Sequence, residues 1–278
     1  MMKKWMMILL ALCLSFSVVC LYGCGGSGGG SGEETEASGE DAGTQAVEES
    51  VWKAAYLEVL QADEQAIKAY TRADQEGLAA LSDLNGDAVP ELLYFVRDPE
   101  KDFPYMKIYT IRDGSAAEVS YEKPMAYSKY SDLPSDALYD YEVQGGTNYA
   151  VFANKDGSLQ MYSFLWGAEF GSGTMNRYKM DAEGNLNQTE RFGFINEFMN
   201  SMLEQPPGAK ITFSMYGEEI QEPEYSALCD ACTKDIQEVI FSVDAPNGAE
   251  QDKPIWDAVG KMTPTGTSYD QMITKLSE

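Results

Sequence analysis

The chain has 278 residues, with 20 Lys+Arg against 45 Asp+Glu, no histidine and a formal charge of -25. Its length and 44% hydrophobic content allow a sizeable core in one or two domains. The charge excludes a nucleic-acid partner, which needs a basic face, and the missing histidine removes the commonest general base and the usual zinc ligand. Lys3 and Lys4 precede Trp5 to Tyr22, a run broken only by Ser15 and Ser17. A short positive region before such an apolar run predicts a secretory signal or an uncleaved anchor. Both readings put the rest of the chain outside the cytoplasmic membrane.

Leu21-Tyr22-Gly23-Cys24 resembles the lipobox of bacterial lipoproteins. The resemblance implies cleavage before Cys24, so that residues 1–23 are a signal peptide. It also implies that Cys24 carries the lipid, palmitate included, which holds the protein on the cell membrane. Tyr22 departs from the small residue usual at that place. Residues 24–50 then read as a tether. Eight glycines, with Ser, Thr and seven acids after Cys24, cannot build a core, so disorder is expected there. Its root-mean-square span is roughly 25–35 Å. Gly25-Gly26-Ser27-Gly28-Gly29 matches the G-x-S-x-G pattern of serine hydrolases, but no strand precedes it and no helix follows.

Residues 51–278 are expected to form one α+β domain, an antiparallel β-meander with an N-terminal helix and C-terminal helices packed on it. Trp52, Tyr56, Val59, Leu60, Ile67 and Tyr70 recur near helical spacing and predict one or two helices. From Leu78 the pattern turns to strands: 92–96, 106–111 and 117–121, with Asp113-Gly114 as a turn. Residues 149–153 and 159–165 flank Lys155-Asp156-Gly157, and 178–180 and 186–192 flank Glu183-Gly184-Asn185, both hairpin signals. Ile195, Phe198, Met199, Met202 and Leu203 fit a helix ended by Pro206-Pro207. Residues 211–216 read as a strand with a Gly217 turn. Pro223 opens a helix whose apolar stripe runs through Tyr225, Leu228, Cys229, Cys232, Ile236, Val239 and Ile240. Ser268-x-x-Gln271 is a capping box before the last helix.

The sharpest local motif is Asp83-Leu84-Asn85-Gly86-Asp87-Ala88-Val89-Pro90-Glu91. Side-chain oxygens at Asp83, Asn85, Asp87 and Glu91, with the Val89 carbonyl, fall at alternate positions. A tight turn can aim such a series at one hard cation, and calcium accepts six to eight oxygens. The loop is similar to the calcium loops of dockerin and FG-GAP modules. It departs from them at Ala88, where they have glycine, and it lacks the EF-hand acid, since Tyr94 stands there. A strand-loop-strand site is therefore expected. The same residues also fit an Asx-rich turn without metal. More widely, Trp52 to Tyr56, Asp83 to Leu93 and Gly217 to Tyr225 resemble a group of Gram-positive surface lipoproteins of unassigned activity. That likeness implies a cell-surface role and calcium binding, and no reaction.

Cys229-Asp230-Ala231-Cys232 is a C-x-x-C motif. Its place inside a predicted helix, beside acids, argues for buried thiols or a local disulfide rather than redox catalysis. Glu218, Glu219, Glu222 and Glu224 crowd one segment without selecting a catalytic pair, and read as a solvated acidic surface. Tyr105, Tyr109, Tyr121, Tyr127, Tyr130, Tyr139 and Tyr141 are strand tyrosines that either stack on sugars or fill a half-buried sheet. The expected function is a non-enzymatic binding or scaffold lipoprotein stabilised by calcium. The alternatives are a carbohydrate- or cell-wall-binding module, with a surface glycan or a protein as ligand, and an acid-dependent hydrolase.

Overall fold

The computed structural model describes residues 48–72, 75–97, 104–121, 146–166, 171–196, 210–242 and 250–278. The signal segment, Cys24, nearly all of the tether, and Tyr127, Tyr130, Tyr139 and Tyr141 lie outside them. No helix among the described residues is long and apolar enough to cross a membrane.

Helix α1, Glu49–Ala62, starts two residues ahead of the boundary expected at Val51. Glu49 favours that start, because its acid sits in the first turn and pairs with Lys53 at 2.7 Å. Helix α2 (Glu64–Lys68) and the two-residue strands β1 (Thr71–Arg72) and β2 (Gln75–Glu76) come after it. Next are β3 (Leu78–Ser82), β4 (Glu91–Arg97), β5 (Pro104–Arg112) and β6 (Ser115–Glu118). They form an antiparallel meander. A second meander runs through β7 (Gly146–Asn154), β8 (Leu159–Trp166), β9 (Gly171–Met180), β10 (Leu186–Asn196), β11 (Ile211–Met215) and β12 (Glu218–Ile220). After helix α3 (Glu222–Thr233), strand β13 (Ile236–Ser242) returns to pair with β7. Helix α4 (Lys253–Val259), strand β14 (Thr267–Ser268) beside β3, and helix α5 (Tyr269–Ser277) complete the chain.

The α+β expectation holds, with two large antiparallel sheets, of five and seven strands, beside the small β1–β2 ribbon, where the sequence pattern predicts one meander. Strand alternation sorts the side chains into three cores. On β4, Leu93 and Phe95 face the seven-stranded sheet, where they meet Tyr149, Val151 and Met161. Leu92, Tyr94 and Val96 point the other way, onto Tyr56, Leu60, Met272 and Leu276 of α1 and α5. The far face of the larger sheet puts Phe152, Phe164 and Phe194 under Tyr225, Cys229 and Trp256 of α3 and α4. The order of layers is therefore helix, sheet, sheet, helix, each sheet buried on both faces over much of its area.

Two expectations are corrected. Ile195 does not open a helix: it lies in β10, paired with Ser172 and Thr212, while residues 197–209 fall outside the described residues. A short apolar run fits helix or buried strand equally, and here Phe192 and Phe194 alternate with Gly193 and Ile195. The stripe from Tyr225 to Ile240 is likewise two elements. Helix α3 ends at Thr233, and the β-branched Ile236, Val239 and Ile240 extend the sheet at β7. The capping box is present: Ser268 Oγ accepts from Gln271 N at 3.4 Å, and the Gln271 side chain accepts from Ser268 N at 3.2 Å.

Candidate functional site

The acidic loop joins β3 to β4, the strand-loop-strand setting expected from the sequence. Its side chains fold back onto its own backbone. Asp83 accepts from Gly86 N at 2.7 Å and Ala88 N at 3.1 Å. Asn85 Oδ1 accepts from Asp87 N at 2.9 Å, and Asp87 Oδ1 from Val89 N at 2.7 Å. These successive Asx turns wind the chain so that residues 83, 85 and 87 serve one bend.

Glu91 closes the loop from below. It is 1% exposed; its Oε2 accepts from Leu84 N at 2.8 Å and its Oε1 from Thr110 Oγ1 at 3.0 Å. Burial pushes its carboxyl up to about 7, opposed by those two donors and reinforced by the nearby charges of Asp87 and Asp83. The amide Asn85 Nδ2 donates both to Asp87 Oδ2 at 3.0 Å and to Glu91 Oε1 at 3.2 Å. Two carboxylates thus converge on one neutral donor. No lysine or arginine among the described residues pairs with Asp83, Asp87 or Glu91. Among the described residues no three Asp, Glu, Cys or His side chains gather as one metal-holding group, and both Asp83 oxygens accept from backbone donors.

Ala88 has φ of 67°, in the left-handed region where similar loops place glycine. An L-residue there carries a penalty of roughly 1–2 kcal/mol, partly offset by the roughly 0.5–1 kcal/mol of extra chain entropy a glycine loses on folding. Ala88→Gly is therefore expected to stabilise the domain by about 0.5–1 kcal/mol, read by urea unfolding. Destabilisation by the same amount would show that the loop does not adopt this backbone.

Cys229 and Cys232 are both buried thiols, unbridged, so the local disulfide is not present in this structure. They stand one turn apart on α3, and Cys232 Sγ reaches the Cys229 carbonyl at 3.2 Å instead of its sulfur. Burial pushes the Cys229 thiol up to about 12 and the Cys232 thiol higher still, so neither is a thiolate nucleophile at neutral pH. Glu218, Glu219, Glu222 and Glu224 are exposed on β12 and the start of α3. Tyr105, Tyr109 and Tyr121 are half-buried, packed into the cores on either side of the five-stranded sheet.

Sequence reasoning passed over two residues. Asp252 is fully buried before α4, accepting from Tyr162 Oη at 2.6 Å and Trp256 Nε1 at 2.8 Å. Its visible signal was an acid four residues before a tryptophan at a Pro-marked helix start. Tyr216 is the only described aromatic side chain more exposed than buried. Its signal was Tyr-Gly at a hairpin turn. Compared with protein-family models, with curated proteins and with solved structures, the chain matches none.

Proposed function

We propose that this chain is a lipid-anchored lipoprotein of the cell membrane, facing outside the cytoplasm, whose domain is a non-enzymatic binding module stabilised by calcium. Residues 1–24 support the anchor: two lysines, an apolar run and the Leu21 to Cys24 lipobox. The observation that carries the calcium reading is the convergence of Asp87 and Glu91 on the Asn85 amide, with no basic side chain among the described residues to balance them. Asp83, Asn85, Asp87, Glu91 and the Val89 carbonyl are the oxygens that would hold the ion, after the side chains, now bonded to the loop backbone and to Asn85, draw together around it. A divalent cation there would replace the two donations from Asn85 and neutralise the carboxylates. The anionic domain and tether are repelled by anionic head groups, so the acyl chains on Cys24 supply the attachment.

The experiment is metabolic labelling with an alkyne-bearing palmitate analogue in a bacterial host, joined to protease shaving of intact cells. Wild-type chain is expected to take label and to be cleaved from outside. Cys24→Ser is expected to lose the label. Label-free wild-type chain, or one protected from external protease, would overturn the reading.

A further inference from the structure

The loop between β3 and β4 holds a second chemistry, in the pair Asn85-Gly86. An asparagine side chain can close on the next backbone nitrogen, because the atoms from its Cγ round to that nitrogen make a five-membered ring. Glycine leaves the nitrogen uncovered. Gly86 has φ of 79°, and a Cβ built on it would meet nothing within 4 Å. Both residues are exposed, so water reaches the pair. The sequence has one other Asn-Gly, Asn247-Gly248, which lies outside the described residues.

The loop's hydrogen bonds prepare that closure. Gly86 N, the nucleophile, donates to Asp83 Oδ1 at 2.7 Å, within reach of a general base. Asn85 Oδ1 accepts from Asp87 N at 2.9 Å. That bond draws the side chain back over the Gly86 peptide and puts a donor where negative charge develops as the carbonyl is attacked. Asn85 Nδ2 donates to Asp87 Oδ2 at 3.0 Å and to Glu91 Oε1 at 3.2 Å, which holds the leaving nitrogen in one pose. A base, an oxyanion donor and an oriented leaving group thus surround one side-chain amide.

We infer that Asn85-Gly86 is a self-modification site, where the loop converts Asn85 to aspartate or isoaspartate through a cyclic imide. Gly86 N bonds to Asn85 Cγ while its proton passes to the Asp83 carboxylate. The Cγ–Nδ2 bond then breaks, and the nitrogen leaves as ammonia, that proton returning to it through solvent. Water opens the imide at either of its carbonyls. One water enters and one ammonia leaves, with no oxidant, reductant or cofactor. The product carries a carboxylate where Asp87 and Glu91 shared a donor, and the isoaspartate form adds one atom to the backbone. The conversion therefore loosens the metal-free loop irreversibly. The inference goes beyond the binding-module reading and needs neither the lipid nor calcium.

The test is peptide mapping by mass spectrometry of the full chain in detergent micelles with chelator, aged at neutral pH beside the same chain unfolded in urea. Mapping reads residue 85 separately from Asn247. Asn85 is expected to convert at least about tenfold faster in the folded chain than in urea. Asp83→Asn keeps an acceptor for Gly86 N but not the base, and is expected to lose that advantage. A folded chain whose Asn85 converts no faster than in urea overturns the inference, and so does an Asp83→Asn protein that converts as fast as wild type. Asn85→Asp stands for the aspartate product and is expected to lower Tm in chelator by about 2–4 °C. An unchanged Tm overturns the loosening of the loop.

Discussion

Glu91→Ala is expected to destabilise the domain by about 3–5 kcal/mol, the largest effect of any single change at the loop. The alanine removes an acceptor from two buried donors, Leu84 N and Thr110 Oγ1, and from the partly buried Asn85 amide. Each unmet buried donor costs about 1–3 kcal/mol, and the lost side chain leaves a gap beneath β4. Glu91→Gln is expected to cost only about 1 kcal/mol in the absence of calcium. Its amide oxygen can keep Leu84, the Thr110 hydroxyl can turn to accept, and a carboxylate disfavoured by burial is gone. Urea unfolding of the three proteins decides the matter. A Glu91→Ala protein within 1 kcal/mol of wild type would mean that this carboxylate does not hold the loop to the sheet.

The second large effect is a pH dependence written into Asp252. Burial raises its carboxyl from 3.8 to about 6, against the pull of Tyr162 and Trp256. A group raised on folding stabilises the native state fully below its unfolded value. That contribution fades as pH rises through the folded value. Asp252 therefore favours the fold below about pH 4 and loses the benefit by about pH 7. A rise of this size is about 3 kcal/mol. Other acids act in the opposite sense; Asp156, for example, is held low by Ser158 and Arg177 although burial opposes it. The clean quantity is thus a difference between two proteins. Wild type should lose about 2–2.5 kcal/mol relative to Asp252→Asn between pH 4 and pH 7.5, the rest of the effect falling below pH 4. A gap between the two proteins that stays constant across that range would show that Asp252 does not titrate in this window.

Period and turn chemistry made much of this fold legible from residues alone. The hairpins at Asp113-Gly114, Lys155 to Gly157 and Glu183 to Asn185 are where Gly and Asx residues announced them, with positive φ at Gly114, Gly157 and Gly184. Helix α5 is where its capping box placed it. The failures share a cause. Around Ile195 and from Val239 to Phe241 the strands are buried on both faces, and register shifts after Ile236 and Val239 break the alternation of β13, so polar residues no longer mark every second position and helical spacing appears by accident. That the strands divide into two sheets was hidden as well, since alternation shows that a strand has two faces but not what covers each.

The site was legible to a different degree. The alternating oxygens of 83–91 named the loop, and strands stand on either side of it as the apolar pattern requires. The role of Glu91 as a buried clasp was not visible, because Leu84 N and Thr110 reach it only through the turn and the neighbouring strand β5. Nor was Asp252, whose partners Tyr162 and Trp256 stand 90 and 4 residues away. The C-x-x-C motif lost its chemistry to burial.

The most direct test of the calcium-stabilised module is the melting temperature of the chelator-treated chain, measured with and without 10 mM calcium, beside Asp83→Ala/Asp87→Ala. At the roughly 10⁻⁴–10⁻³ M affinity of extracellular calcium modules, that calcium contributes about 1.5–3 kcal/mol. For a domain of this size the expected rise is about 3–10 °C in wild type and none in the double variant. A wild-type melting temperature that calcium leaves unchanged would contradict the calcium reading of the loop.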